Sequence, residues 1–478
     1  MINVTNRRVP LVRGVVSALA LSVFSLPRIA AAEITLVEKD GWTVYMNGRA
    51  QAFLNYNRGD GYPKNAVIDG NGNGPELKGG GLQPNETYHE FPENASATET
   101  GKIEELRIRT GFVGNVLGFG IKKKLNDTTE VLGYTAVTTY IDSTERRKYL
   151  EVRPDWRESY LKITGNWGSL LAGRTGTLFS RGATEITYLY GYKYGLGWPG
   201  NVSSLGGSGP GAGAVGFGVL ANGFGAGIVY ATPNLSGLQV SAGAYDANSL
   251  VGAGVWERVK WPRAEAEVTF ERKFGASNMF KLFANGAWQK VYSKEKPLDA
   301  TIIGGGAGGR LEIGPVHLGV AGHRGKGVGM DFALQPSNAG WDLRDPNDPK
   351  LRTFTGVYAQ AMVSATQALD ISIGAGQTSV SQNPEDKVDT KDDDMNPATP
   401  ADKDAGAASG VDSVGFVTVK SQTGINANVT VHVNENVHLQ FEYFRAMIAW
   451  YTPTPAGPNT IQPKQNFHVI NAGITYAF

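Results

Sequence analysis

Polar and apolar positions alternate with a period of two over most of this chain, and the 3.6-residue spacing of an amphipathic helix is scarce. Between Trp42 and Asn55, one face carries Trp42, Val44, Met46, Ala50, Ala52 and Leu54. The other carries Thr43, Tyr45, Asn47, Arg49, Gln51 and Asn55. Arg263 to Phe274 sets Ala264, Ala266, Val268, Phe270 and Phe274 against Arg263, Glu265, Glu267, Glu271 and Lys273. Asn278–Gln289 and Val437–Arg445 repeat the pattern, the second with Val437, Leu439, Phe441 and Tyr443 opposite His438, Gln440 and Glu442. Such segments predict strands with one apolar and one polar face.

About 16 such strands can be counted, joined alternately by short turns and long polar loops. The turns fall near 126–129, 166–168, 234–237, 276–278, 314–315, 366–368 and 434–436. The loops fall near 56–102, 143–155, 176–212, 247–262, 293–300, 325–352, 382–411 and 452–465. A soluble sandwich gives no reason to sort connections in this way, and a loop as long as 56–102 counts against a compact soluble domain. A transmembrane antiparallel barrel does give one: trimmed turns at the periplasmic rim, elaborated loops outside, apolar faces on lipid and polar faces on a wet lumen. Hydrocarbon leaves no strand edge unpaired, so the last strand must close on the first. Ile470, Ala472, Ile474, Tyr476 and the terminal Phe478 share one face of that last strand.

Composition narrows the picture. The 478 residues include no Cys, which excludes disulfides and thiolate metal sites. Lys and Arg number 45 against 44 Asp and Glu, without the basic excess of a nucleic-acid binder. Gly, at 63 residues, is about twice its usual share of about 7% and is read as supplying turns and kinks. Arg7, Arg8 and Arg13 precede the apolar run 15–26 and the small residues Ala30–Ala32, so 1–32 reads as a signal peptide and 33–478 as the barrel domain. After Ala32 no run of 18 apolar residues occurs.

Several segments, in order and spacing, resemble the general porins of Gram-negative outer membranes. They are Asn47-Gly48-Arg49, Arg109–Asn115 (RTGFVGN), Asn166–Arg174 (NWGSLLAGR) before a long loop, and Asn234–Gly237 (NLSG) before a strand ending in Ala244-Tyr245. The terminal aromatic is similar to the assembly signal of such barrels. The resemblance implies a homotrimeric, water-filled diffusion pore for ions and small hydrophilic solutes, in contact with lipid and lipopolysaccharide. It also implies that loop 176–212 folds inward to narrow the lumen, opposite a row of basic side chains. Arg174 matches the family's arginine at the end of the fifth strand. Arg107 and Arg109 share a face of the second strand, Arg49 lies on the polar face of the first, and Lys162 joins them from the fourth. Like charges on low-dielectric walls focus a field that selects ions by sign.

The loop departs from the family pattern. It lacks the acidic Pro-Glu-Phe motif; Glu185 is its one acid, and Arg181 and Lys193 are basic. It carries Tyr188, Tyr190, Tyr192, Tyr194 and Trp198, either a stacking track for sugar rings or apolar anchors against the wall. The pore-site candidates are therefore Arg49, Arg107, Arg109, Lys162, Arg174, Arg181, Glu185, Tyr188 and Tyr190. Glu265, Glu267 and Glu271 read either as a lumenal acidic patch balancing the arginines or as a solvated face. Loop 382–411, with Asp392, Asp393 and Asp394, reads as a solvated surface loop or as a divalent-cation site near lipopolysaccharide phosphates. Asp69, Asn71 and Asn73 open a pattern similar to a calcium loop, but Gly80 occupies its twelfth position, so no metal is assigned. No Gly-x-Ser-x-Gly, His-Glu-x-x-His or Walker pattern occurs, and neither an enzymatic role nor a cofactor is expected. Two alternatives to the general pore stay open: a pore selective for sugars or organic acids, and a non-conducting surface or adhesin barrel.

Overall fold

A computed structural model describes residues 33–63, 100–111, 114–139, 141, 154–187, 214–247, 260–275, 277–292, 299–330, 333–334, 341–342, 350–381, 419–450 and 464–478. The chain opens with β1 (Ile34–Lys39), β2 (Trp42–Pro63), β3 (Thr100–Arg109), β4 (Asn115–Asn126), β5 (Thr129–Thr139), β6 (Asp155–Gly165) and β7 (Gly168–Gly176). A seven-residue helix, α1 (Arg181–Thr187), lies in the loop before β8 (Phe224–Ala231). Then follow β9 (Leu238–Tyr245), β10 (Arg263–Phe274), β11 (Asn278–Tyr292), β12 (Asp299–Ile313) and β13 (Val316–Lys326). The two-residue strands β14 (Trp341–Asp342) and β15 (Lys350–Leu351) pair only with each other. The chain ends with β16 (Thr353–Thr366), β17 (Leu369–Val380), β18 (Val419–His432), β19 (Val437–Trp450) and β20 (Lys464–Ala477).

All strands except β14 and β15 form one antiparallel sheet of 18, closed on itself. Closure is made where β20 pairs with β2, from Arg49↔Ala477 to Gly59↔Phe467. The terminal Phe478 adds two backbone bonds to Gly48, at 2.6 and 3.0 Å. Two wall positions are composite. β1 pairs with β2 from Ile34↔Met46 to Lys39↔Trp42, in line below the end of β20. On its other flank β2 pairs with β3 above, from Phe53↔Arg109, and with β4 below, from Arg49↔Val116. Taking β1 with β20 and β3 with β4, the wall has 16 positions, the number read from the sequence. The expected short turns all lie at one rim, where asparagine side chains close several of them: Asn126 accepts from the Thr128 N–H at 3.0 Å and Asn434 from the Val437 N–H at 2.8 Å. The wall rises higher than the expected loop boundaries allow, since β2 runs on to Pro63. Loops 64–99 and 382–418, with their calcium-like and acidic motifs, lie outside the described residues.

The faces are inverted relative to a soluble protein. Leu54, Ile108, Leu282 and Phe441 point outward and are 46%, 67%, 50% and 51% exposed. Inward Asn55, Gln289, Glu442 and Thr475 are nearly inaccessible. An apolar exterior around a polar interior places lipid outside. Among the described residues no helix is long and apolar enough to cross a membrane, so the strands do the crossing.

The glycine excess serves a different end from the one expected. Much of it lies on inner strand faces, beneath aromatic rings. One hydrogen-bonded row runs Tyr45, Gly120, Tyr134, Tyr160, Gly173, Gly227, Tyr245 around seven strands. A Cβ on Gly120 would stand 2.1 Å from the Tyr45 ring, and one on Gly473 would stand 1.9 Å from that of Phe53. The missing side chains let rings lie flat on the wall, so aromatics fill much of the inner face. Gly473→Val should therefore strain the closing β2–β20 pair, overpacking being worth about 1–3 kcal/mol. The expected result is a lower refolding yield and a lower thermal midpoint in the heat-dependent gel mobility of the barrel. Phe53→Ala added to Gly473→Val should restore both.

Candidate functional site

The loop between β7 and β8 enters the lumen, as expected for the third long loop. Its two limbs part at the wall, where the Thr177 N–H donates to the Gly223 carbonyl at 2.9 Å. The first limb crosses to the inner faces of β11, β12 and β13, against which α1 packs. That wall is lowered by Gly304, Gly306 and Gly308, which face inward on β12, so the glycine-rich 304–309 stretch is a strand. Ile186 and Ala183 of α1 cluster there with Phe283 and Ala321. A Cβ on Gly182 would be 2.2 Å from the Phe283 ring, so only glycine admits the helix this closely.

Charge fixes the rest. Glu267 on β10 accepts from the Gly182 N–H at 3.1 Å and from Arg181 Nε at 2.8 Å, with Arg181 Nη2 on the same carboxylate oxygen. It thus satisfies an orphan N–H of the first helical turn and the guanidinium beside it. Glu265 accepts from the Phe179 N–H at 2.7 Å and pairs with Arg263 at 2.7 Å. Glu185 pairs with Lys281 of β11. The Gln360 side chain of β16 donates to the Ile186 carbonyl at 2.9 Å. Burial works against the Arg181 charge, but the carboxylates of Glu267 and Glu185 outweigh it and hold the guanidinium above its ordinary pKa. Of the two readings of the β10 glutamates, neither a balancing patch nor a solvated face describes Glu265 and Glu267: they anchor the loop. Glu271 is exposed near the turn rim.

The returning limb, 214–223, lies against the opposite wall. Phe217 meets Phe444 edge-on at 5.0 Å, and the Gly218 N–H donates to Thr378 Oγ1 at 2.9 Å. A second loop, after β13, also folds inward, which the sequence reading did not anticipate. Val328, Met330, Ala333 and Leu334 are buried, and the Ala333 N–H donates to the Ala221 carbonyl at 2.7 Å.

The candidate basic wall is only partly assembled by these positions. Arg49 faces inward, half-buried, with Nε 3.4 Å from the Gly114 carbonyl. Lys162 faces inward on β6, opposite Leu132 and Leu171. Arg107 and Arg109 stand opposite Asn55 and Phe53 in the ladder, at positions alternating with the outward Leu106 and Ile108; their side chains lie outside the described residues. Arg174 is a correction. It shares the outward face of Leu170 and Ala172 and is exposed, while its neighbour Thr175 points inward and donates to Glu158 at 3.1 Å. Period-two alternation puts Arg174 on the lipid side near the upper rim, away from the lumen. Arg181 and Glu185 are loop anchors. Tyr188, Tyr190 and the other loop aromatics lie outside the described residues. Sequence reasoning missed Glu158, which lines a lumenal recess with Leu171, Thr184, Glu185, Asn222 and Tyr245. Its place after Trp156 and before Tyr160 was the available signal.

No protein-family model matches the sequence, and no curated protein is significantly similar to it. Solved structures do match. The outer membrane channel DcaP of Acinetobacter baumannii superposes with a TM-score of 0.58 at 14% identity, over 93% of this chain and 100% of that one. An anion-selective porin from Comamonas acidovorans gives 0.50 at 11% identity, over 91% and 100%. At such identities the likeness is one of fold: the 16-strand transmembrane barrel of outer-membrane channels.

If Glu267 anchors the loop, Glu267→Ala leaves the buried Arg181 with Glu185 alone, at 3.9 Å, and the loss approaches that of a broken buried pair, about 3–5 kcal/mol. The thermal midpoint should fall, and α1 should become accessible to protease in detergent-solubilised barrels. Replacing both partners, as Arg181→Met with Glu267→Leu, should recover much of the midpoint, because no charge is then stranded.

Proposed function

We propose that this chain is an outer-membrane pore of a Gram-negative bacterium, through which ions and small hydrophilic solutes diffuse passively. The observation that carries the reading is the closed barrel with an apolar exterior, a polar inner face and a third loop pinned across its lumen. Residues 1–32 act as the export signal, and the barrel assembles as a homotrimer in lipid and lipopolysaccharide.

The selectivity residues in this reading are Arg49, Arg107, Arg109 and Lys162, on three inward-facing strands of one side of the wall. Most described lumenal charges elsewhere sit in acid–base pairs, such as Arg263 with Glu265, Lys281 with Glu185 and Arg310 with Glu312. Pairs cancel at a distance, so in this reading the four cations together outweigh Glu130, which lies within electrostatic range of Lys162, in the field that an entering ion meets. Anions are then favoured. The loop aromatics Tyr188, Tyr190, Tyr192, Tyr194 and Trp198, on which a sugar track would rest, lie outside the described residues; the wall tyrosines Tyr45, Tyr134, Tyr160 and Tyr245 are buried and offer no such track.

Single-channel recording in asymmetric salt tests this. The wild type should show stable open steps with an anion-selective reversal potential. Neutralising Arg49, Arg107, Arg109 and Lys162 together should move that potential toward zero or past it. Arg174→Ala, on the lipid face, should leave it unchanged. A silent bilayer from a folded barrel would mean that the two inward loops close the lumen, and the pore reading would fall.

A further inference from the structure

The turn-rim mouth of the lumen carries a side-chain cluster that the pore reading leaves unused. β18 ends at His432 and β19 begins at Val437. The turn between them is tight: the Val433 N–H donates to the Val437 carbonyl at 2.9 Å, and the Asn434 side chain accepts from the N–H groups of Asn436 and Val437 at 2.9 and 2.8 Å. That turn sets the register in which His432 stands directly opposite His438. The rings meet edge to face at 4.9 Å, with their Nδ1 atoms 2.8 Å apart. On the neighbouring strand β17, Asp370 Oδ2 lies 2.9 Å from His432 Nε2.

Two ring nitrogens at that distance attract only when one holds a proton and the other a lone pair. Asp370 decides which. Its carboxylate only accepts, so His432 keeps its proton on Nε2 and presents a lone pair at Nδ1. His438 Nδ1 is then the donor. A carboxylate that fixes the tautomer and aim of an imidazole is the partner that metal-ligating histidines use.

We infer that His432 and His438 bind a divalent transition-metal ion through their Nδ1 atoms, with Asp370 as the positioning residue. The ion takes the place of the shared proton, which passes from His438 Nδ1 to the buried Nε2 of the same ring as the two rings part; the ring stays neutral and no proton is lost. Metal–nitrogen bonds of about 2.0–2.1 Å at a tetrahedral angle separate the two nitrogens by about 3.3 Å. The pair at 2.8 Å thus opens by about half an ångström, a side-chain rotation that leaves the ladder intact. The His432 side chain is 16% exposed, which gives access from the lumen. Among the described residues no group of three His, Asp or Glu side chains is arranged around a metal, so water completes the coordination and binding is reversible. Imidazole nitrogens favour Cu(II) over Ni(II) and Zn(II), and do not suit Mg(II) or Ca(II).

The test uses the full-length barrel, purified without a histidine tag and titrated with CuCl₂ in detergent. Electron paramagnetic resonance should show about one Cu(II) per chain with a two-nitrogen signature. His438→Gln should abolish it, and Asp370→Asn should weaken binding about 10–100-fold. His468→Gln, on the outward face, should leave the signal intact and controls for other histidines. Folding of each variant is read from heat-dependent gel mobility. Persistence of the signal in a folded His432→Gln/His438→Gln double variant, or its absence in the wild type, would overturn the inference. The resonance signal does not depend on conduction, so failure of the pore reading would be seen separately.

Discussion

Backbone hydrogen bonding in hydrocarbon is the constraint on which the rest of this structure depends. An unpaired N–H or carbonyl facing lipid costs several kcal/mol, because no water is there to satisfy it. A sheet that crosses a membrane therefore has no tolerable edge, and the first and last strands must find each other across the length of the chain. Here β2 serves as the seam. Its upper half is flanked by β20 and β3, and its lower half by β1 and β4. The tilt of the strands would otherwise leave the lower half of β2 uncovered beneath the end of β20, and β1 fills that gap. Phe478, at the terminus, bonds to Gly48 at the point where the two halves meet.

Closure creates an interior that must then be furnished. The lumen is wide enough to receive loops, and among the described residues two enter it. What keeps the third loop there is a division of labour between small residues and charges. Glycines on β12 lower the wall, Gly182 lets the helix approach Phe283, and Glu265 and Glu267 hold the loop's backbone amides and Arg181. Carboxylates on a strand that sequence alone would assign to the open channel are spent on architecture. Inner-wall aromatics over glycines play a similar architectural part, giving a rigid lining without narrowing the lumen by a full side chain.

Much of this was legible in the residues. Alternation gave the face of each strand correctly for Leu54 against Asn55, for Leu282 against Gln289 and for Phe441 against Glu442, because a strand buries or exposes alternate residues whatever it faces. The sorting of short turns and long loops gave the strand number. Arg174 was misplaced because a motif match outweighed its own parity: Leu170, Ala172 and Arg174 alternate with Leu171, Gly173 and Thr175, and that count alone puts it outside. The glycines were read as turn formers because a single sequence does not show that Gly120 lies opposite Tyr45, or Gly473 opposite Phe53.

Period, turn chemistry and the apolar C-terminal strand thus determined by themselves that this chain is a closed transmembrane barrel of about 16 strands. They are local properties, each set within a few residues by strand geometry and by the absence of water in lipid. Partnership was decided only in three dimensions. That Glu267 meets Arg181 86 residues away, that the loop after β13 turns inward, and that His432, His438 and Asp370 converge depend on register across strands far apart in sequence. Register is fixed by closure of the whole sheet, and no segment carries it alone.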